Sequence, residues 1–428
     1  MPRQTRFKDT GKGSFFGDMV YDPILKRHPG HFLVALNNLF DWDSYSKKLL
    51  KLYKGKAREG RPPYEPVLLF KLLFISYLYN VSEREVERLA DEHLMIKWFL
   101  GLAVDAAPPD HSTLTAFKER TLNKQGRETL QKIFDDMLKE ARDNGLELGT
   151  IQVLDSVHTQ ANVNNIKDRE RQEKGQEPRD PDARVVNKGK RRVVTADGEA
   201  TEKEIRYRGF KTHTSVNAKT IIVTSILPAL GDTADNKAFE ALRKHDRELG
   251  LPLTTYSGDR AYDDTDIYTR LEEEGLSSGI TLNDYRTEKK DDNKEPWLAL
   301  KASKAYIEGH DVRYRVELPY GWAKAWHGFE RCRYLGLARY AIQSTLTFMV
   351  SNAKRIVKLL TGITFRKQAK GRRAEVFQSV YAIGVVHLEH ELARFARPVG
   401  AWTPDLAPLM RSQETVIPQN QPKTGALL

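Results

Sequence analysis

Apolar residues recur every three or four positions through the first third of the chain and alternate through much of its middle. That change of period predicts a helical region followed by a mixed α/β region. After an irregular lead containing Gly11, Gly13 and Gly17, the spacing predicts a short helix around Phe40–Tyr53. Arg61-Pro62-Pro63-Tyr64 interrupts the pattern, since tandem prolines break helices and start extended segments. Val67–Leu78 is the densest apolar run, with Leu69, Leu72, Leu73 and Tyr77 at helical spacing. Ser82, with Glu85 three residues on, reads as a capping box opening a helix with Val86, Leu89 and Ala90 on its apolar face. Pro108-Pro109-Asp110-His111-Ser112 closes this group, and Asp110 or Ser112 can cap the next helix.

From Thr150 the pattern becomes β-branched and alternating, a strand signal. Strands are predicted at Lys211–Asn217, Ile221–Leu227, Leu253–Ser257 and Gly279–Leu282, with helices at Asp235–Leu249 and Asp264–Glu274. A long helical region is predicted from Arg313 to Leu360. The charged stretch 167–204 interrupts the strands and reads as a loop or partly disordered insert. The expected organisation is a lead (1–60), a helical domain (61–145), an α/β domain built on a mixed central sheet (146–360, with the insert), and a basic extension and tail (361–428) rich in proline.

Composition narrows the class. The 428 residues carry 69 Lys+Arg against 58 Asp+Glu, a formal charge of +11 that favours a polyanionic partner. No apolar run approaches the roughly 18 residues of a membrane helix, and no apolar segment follows the basic N-terminus, so a soluble cytoplasmic protein is expected. The single cysteine, Cys332, excludes an internal disulfide framework and cysteine-built metal sites.

Among so many acids, three stand out. Asp155 follows the apolar run Ile151-Gln-Val-Leu154, where a charge is expensive unless it has a role. Taken alone, it reads equally as a strand-end turn residue. Asp259 repeats the arrangement after Thr254-Thr-Tyr-Ser-Gly258, and ligands of open sheets gather at strand ends. Two cations about 3.5–4 Å apart need several oxygen ligands, so a third acid is required. Glu317 suits: on one helix Arg313, Glu317 and Lys324 share a face, although Pro319 can start or kink that helix. By itself the same spacing is that of an ordinary ion pair on a solvated helix.

In these settings Asp155, Asp259 and Glu317 resemble the catalytic triad of DDE transposases encoded by bacterial insertion sequences, most similar to the insertion-sequence-five-like group within the insertion-sequence-four/five superfamily. Arg313, Glu317 and Lys324 stand at the spacing of that superfamily's Tyr-Arg-Glu-Lys signature, with His310 in place of the Tyr. Gly258-Asp-Arg-Ala-Tyr262, Arg333-Tyr-Leu-Gly-Leu-Ala-Arg339 and Asn352-Ala-Lys-Arg355 are similar to further family segments. So are Arg61-Pro-Pro-Tyr64, Val81-Ser-Glu-Arg-Glu85, Trp98-Phe-Leu-Gly101 and Pro109-Asp-His-Ser-Thr-Leu114 of the helical region ahead of the core. The resemblance covers roughly residues 60–357, in order.

The resemblance implies an RNase H-like core whose three carboxylates hold two Mg²⁺ ions, with Mn²⁺ as a substitute, for cleavage and strand transfer of DNA. It implies double-stranded DNA as partner, both element ends and target, and a homodimer on that DNA in the bacterial cytoplasm and nucleoid. Arg313 and Lys324 are expected on phosphates, joined by His310, Arg333 and Trp297. Lys354 and Arg355 open a basic run over 351–373 with eight Lys/Arg and no acid. Alternatives are an RNase H-like nuclease without strand transfer, and a domesticated DNA-binding repressor. His158 and His213 read as local hydrogen-bonding residues beside the site.

Overall fold

Side-chain caps start many of the helices. Asp41, Ser82, Asp110, Asn123, Asp264 and Ser303 each accept a hydrogen bond from a backbone N–H in the first turn of the helix that follows. The computed structural model describes residues 7–11, 15–53, 62–194, 200–288 and 294–365 of the chain. The helical region comprises α1 (Phe15–Arg27), α2 (Phe32–Leu39), α3 (Trp42–Leu50), α4 (Pro66–Tyr79), α5 (Glu83–Glu92), α6 (Leu94–Leu100), α7 (His111–Thr121) and α8 (Lys124–Asp143). Of these, α3 matches the short helix expected near Phe40, whereas α1 and α2 fall inside the supposed irregular lead. Pro66 opens α4, whose side chains are buried almost all round, and Asn80 ends it in a left-handed conformation at φ 51°.

The second half runs β1 (Ile151–Gln160), α9 (Asn165–Glu173), β2 (Arg184–Val194), β3 (Ala200–Asn217), β4 (Ile222–Leu230), α10 (Asp235–Glu248), β5 (Thr255–Gly258), α11 (Thr265–Glu273) and β6 (Ser277–Ile280). It continues through α12 (Tyr285–Glu288), α13 (Glu295–Ala302), α14 (Lys304–Val312), a 3₁₀ turn (Arg313–Val316), α15 (Glu317–His327) and α16 (Leu337–Thr361). The later half of β3 pairs antiparallel with β1 on one edge and β4 on the other. β5 runs parallel to β1, and β6 parallel to β5. The order β4-β3-β1-β5-β6 is the mixed central sheet expected from the sequence.

Two expectations need correction. The charged insert 167–204 is not an irregular loop: it contains α9, β2 and the first part of β3, and β2 and β3 form an antiparallel ribbon. The register pairs Arg184 with Gly209 and Val186 with Tyr207, and shifts between Asn187 and Lys190. The boundary at residue 145 also does not separate two cores. A single apolar cluster runs from Leu33, Phe70 and Ile133 of the helical region to Val153, Phe210 and Phe348. α16 joins them, packing against α2, α4 and α8 as well as β3 and β4. A second cluster lies on the opposite face of the sheet, where Leu154 and Tyr256 meet Ala238, Phe239 and Leu242 of α10.

Residues up to Phe365 form one compact unit; 366–428, with most of the basic run and the proline-rich tail, lie outside the described residues. Among the described residues, no helix is long and apolar enough to cross a membrane.

Candidate active site

β1 is ten residues long and β5 only four, and their register sets Leu154 beside Gly258. Asp155, in the middle of β1, is therefore level with Asp259, the first residue beyond β5. Alternation along β1 puts Val153, Asp155 and Val157 on one face and Leu154 and Ser156 on the other. Asp259 caps the 3₁₀ turn Arg260–Tyr262, its Oδ1 accepting the Ala261 N–H at 2.9 Å. A Cβ on Gly258 would lie 3.1 Å from Cδ2 of Tyr262, so this glycine makes room for the buried Tyr262 ring.

Burial pushes the Asp155 carboxyl up to about 7; the nearby Asp259 and Asp235 charges raise it too, while the Ser156 N–H and Arg313 work against the shift. Burial likewise raises Asp259, with Asp235 adding repulsion and the Ala261 N–H, Arg313 and Lys211 opposing it. Two crowded carboxylates with raised proton affinity form a hard-oxygen donor pair whose repulsion a divalent cation would relieve. The aspartate pair thus fits such a cation.

Glu317 is exposed at the head of α15. Among the described residues, no three Asp, Glu, His or Cys side chains converge to grip one ion. The structure brings the two aspartates together and does not place Glu317 in contact with them. Its helix is nevertheless anchored at the site: Tyr320, one turn on, shares a 2.6 Å hydrogen bond with Thr214, and Thr214 is the β3 partner of Asp155. The single helical face expected for Arg313, Glu317 and Lys324 is also broken, because Arg313 belongs to the 3₁₀ turn before α15. Arg313 is nonetheless close enough for its charge to act on both aspartates. Lys324 lies on α15, partly exposed.

The other expected DNA contacts are differently employed. Arg333 donates to Ser76 Oγ, the Val81 carbonyl and Asn80 Oδ1, at 2.9–3.3 Å, and sits 4.3 Å above the Tyr77 ring. It ties the loop before α16 to the end of α4. Arg355 donates to the Thr220 carbonyl at 2.8 Å, holding the β3–β4 turn, and burial lowers its pKa. Lys354 lies 3.5 Å from His327 Nε2 and packs near Trp326 and Phe365. Trp297 is held under the Arg286 guanidinium at 4.1 Å and edge-on to Tyr268. His310 is exposed and stacks on Tyr306. The first two members of the basic run expected across 351–373 are thus partly exposed and also make contacts within the fold.

Sequence reasoning missed Asp235. At the start of α10, its Oδ1 lies 3.3 Å from Lys211 Nζ and 3.1 Å from His213 Nδ1. Burial works to raise its pKa, but the His213 and Ser156 side chains and the Lys211 charge outweigh it and hold the carboxyl down at about 2. An acid in a first helical turn is too common to stand out. The available signal was the polar Lys211-Thr-His-Thr-Ser215 run in a strand with neighbours on both edges.

Residues 22–120 match the family model described as Transposase domain (DUF772), and residues 174–353 match the Transposase DDE domain model. The second match contains Asp259 and Glu317 and begins after Asp155. Among solved structures, similarity extends to a piggyBac transposase synaptic complex with hairpin DNA, at 10% identity and TM-score 0.38, over 84% of this chain and 78% of that one. It extends also to a Mos1 transposase paired-end complex with its left transposon end, at 13% identity and TM-score 0.19, over 61% and 80% respectively. The mixed sheet with its flanking helices is an RNase H-like core. The two matched models and this core identify the chain as a member of the DDE transposases, of the insertion-sequence-four/five kind.

Proposed function

We propose that this transposase cleaves DNA at the ends of its own mobile element and joins the freed ends to target DNA, using Asp155, Asp259 and Glu317 as its catalytic carboxylates. The observation that carries the assignment is the pairing of Asp155 and Asp259 at one level of the sheet, with their proton affinity raised by burial. Glu317 joins them on the strength of its helix, whose Tyr320 rests beside Asp155 through Thr214. The three would hold Mg²⁺, with Mn²⁺ as a substitute. Bound divalent cations supply Lewis-acid chemistry, activating the attacking hydroxyl and offsetting charge on the leaving oxygen.

The chain's own contribution is placement. β1, inside the sheet, keeps Asp155 fixed, and the Tyr320–Thr214 hydrogen bond ties α15, with Glu317 at its head, to the neighbouring strand. Arg313 brings positive charge to the two aspartates and to any phosphate between them, and Lys324 adds a point charge farther along α15. Element ends must be paired before joining, so the working species is a homodimer on double-stranded DNA, acting in the cytoplasm on nucleoid DNA.

The test incubates the protein with Mg²⁺, labelled element ends and a target plasmid. Cleaved ends and joined products are expected, with both abolished in Asp155→Ala, Asp259→Ala and Glu317→Ala. Cleavage without joining points to a nuclease, and DNA binding without either to a repressor. Wild-type activity in Glu317→Ala removes that residue from the site.

A further inference from the structure

We propose that Asp263 is a positioning residue of the catalytic centre: its buried carboxylate fastens the turn that carries Asp259 to the loop leaving β6, with Asn283 as the link. This rests on the assignment of Asp259 as a catalytic carboxylate and adds a residue which that assignment does not contain.

Asp259 stands where the chain leaves the sheet. β5 ends at Gly258, and beyond it Asp259 caps a 3₁₀ turn of only three residues. A turn this short holds itself weakly: the Tyr262 N–H donates to the Asp259 carbonyl at 3.1 Å and the Asp263 N–H to the Arg260 carbonyl at 3.2 Å. The remaining support comes from the exit of the neighbouring strand. β6 runs parallel to β5 and the two end side by side, Gly258 paired with Ile280. The Thr281 N–H then donates to the Gly258 carbonyl at 3.0 Å. Two residues on, Asn283 reaches both ends of the turn. Its Nδ2 donates to the Arg260 carbonyl at 3.2 Å and to Asp263 Oδ2 at 2.8 Å, and its backbone N–H donates to the same Oδ2 at 2.7 Å. Arg260 adds a bidentate pair with Asp284, at 2.7 and 2.8 Å.

The Asp263 side chain is 0% exposed. Its Oδ1 accepts the Tyr268 hydroxyl at 3.0 Å and lies 2.6 Å from Arg286 Nε, so both oxygens are committed. A carboxylate survives such burial only when it is paired and hydrogen-bonded. Asp263 is therefore a brace rather than a further metal ligand. The loop it grips also roots the helices that lead to Arg313 and Glu317. The Arg286 guanidinium lies 4.1 Å over the Trp297 ring of α13, and the Leu282 N–H donates to the Tyr306 hydroxyl of α14 at 3.3 Å. Partners that orient a metal ligand from outside its coordination sphere typically change metal affinity or activity by about 10–100-fold when removed.

The experiment uses the full-length protein and three variants, Asp263→Asn, Asn283→Ala and the double substitution. Mn²⁺ binding is titrated calorimetrically without DNA, single-turnover cleavage of labelled element-end duplex is followed over a range of Mn²⁺ concentrations, and DNA affinity and Tm are recorded. Asp263→Asn is expected to weaken Mn²⁺ binding about 10–100-fold and to slow cleavage at low Mn²⁺, with the rate recovering in excess Mn²⁺ and DNA affinity unchanged. Asn283→Ala should act in the same direction, and the double variant should be no worse than Asp263→Asn, because the two residues share one link. Wild-type Mn²⁺ affinity in Asp263→Asn overturns the proposal, and a lowered Tm beside that normal affinity reduces Asp263 to a local stabiliser. Fully additive losses in the double variant overturn it too. If Asp263→Asn does not fold, Asn283→Ala decides: reduced Mn²⁺ affinity at normal Tm supports the brace, and wild-type affinity removes it. Asp155→Ala and Asp259→Ala run alongside; wild-type cleavage in those defeats the catalytic assignment itself, whereas their inactivity beside a normal Asp263→Asn defeats only this inference.

Discussion

Asp155 and Asp259 both have carboxyls raised above the ordinary range, and the sign of the consequence is fixed by linkage. A carboxyl whose folded pKa exceeds its unfolded value binds its proton more tightly in the native state, so the native state loses stability as pH rises from the unfolded pKa to the folded one. For Asp155 that window runs from the ordinary carboxylate value near 4 to about 7. In chelator, stability should fall across this interval, and Asp155→Asn should flatten the fall, gaining about 1–3 kcal/mol at pH 8 and little at pH 4. Urea denaturation at both pH values measures it; an unchanged slope in the variant refutes the raised carboxyl. The two aspartates were legible because each ends an apolar run. Asp235 was not, since it opens a helix while its neighbours Lys211 and His213 come from β3. Nor could the chain reveal that Arg333 reaches Asn80 and Val81, far away in sequence.

At the level of elements, the placement of Arg313 and Glu317 depends on α14, which sits on β5 and β6 where two glycines meet. A Cβ on either Gly279 or Gly309 would lie 2.8 Å from the other's Cα, and Ser257 Oγ donates to the Gly309 carbonyl at 2.8 Å. No side chain fits between backbones this close, so the helix must move if one is added. Gly309→Ala is expected to push α14 outward, and the 3₁₀ turn carrying Arg313 with it. Cleavage should drop at least about tenfold, for a stability loss of about 1–3 kcal/mol, while binding to element ends persists; normal cleavage would show that the turn is held by something else. The helices and core strands could be read from period and caps. The β2–β3 ribbon could not, because its composition is that of a solvated loop and its stability comes from a partner strand, a term that local composition does not contain.

Across the whole molecule, the surplus of +11 is divided between cations that build the fold and cations near the aspartates. Charge counting cannot separate them, but burial can. Arg333 spends its guanidinium on the end of α4, across the seam between the helical region and the sheet, and both parts share one apolar core. Removing it leaves the Val81 carbonyl and Asn80 short of a charged donor, so Arg333→Ala should cost about 2 kcal/mol of stability while leaving the salt dependence of DNA binding unchanged. Arg313→Ala and Lys324→Ala should do the reverse. Each is expected to keep Tm within a few degrees and to reduce the slope of log K against log salt by about one phosphate contact. Measuring Tm and DNA affinity over a salt series in all three variants tests the division in a single experiment. A reduced salt slope in Arg333→Ala with normal Tm would return that residue to the DNA surface. An unchanged slope in Arg313→Ala would leave the positive charge beside Asp155 and Asp259 with a purely internal role, balancing the carboxylates rather than the DNA.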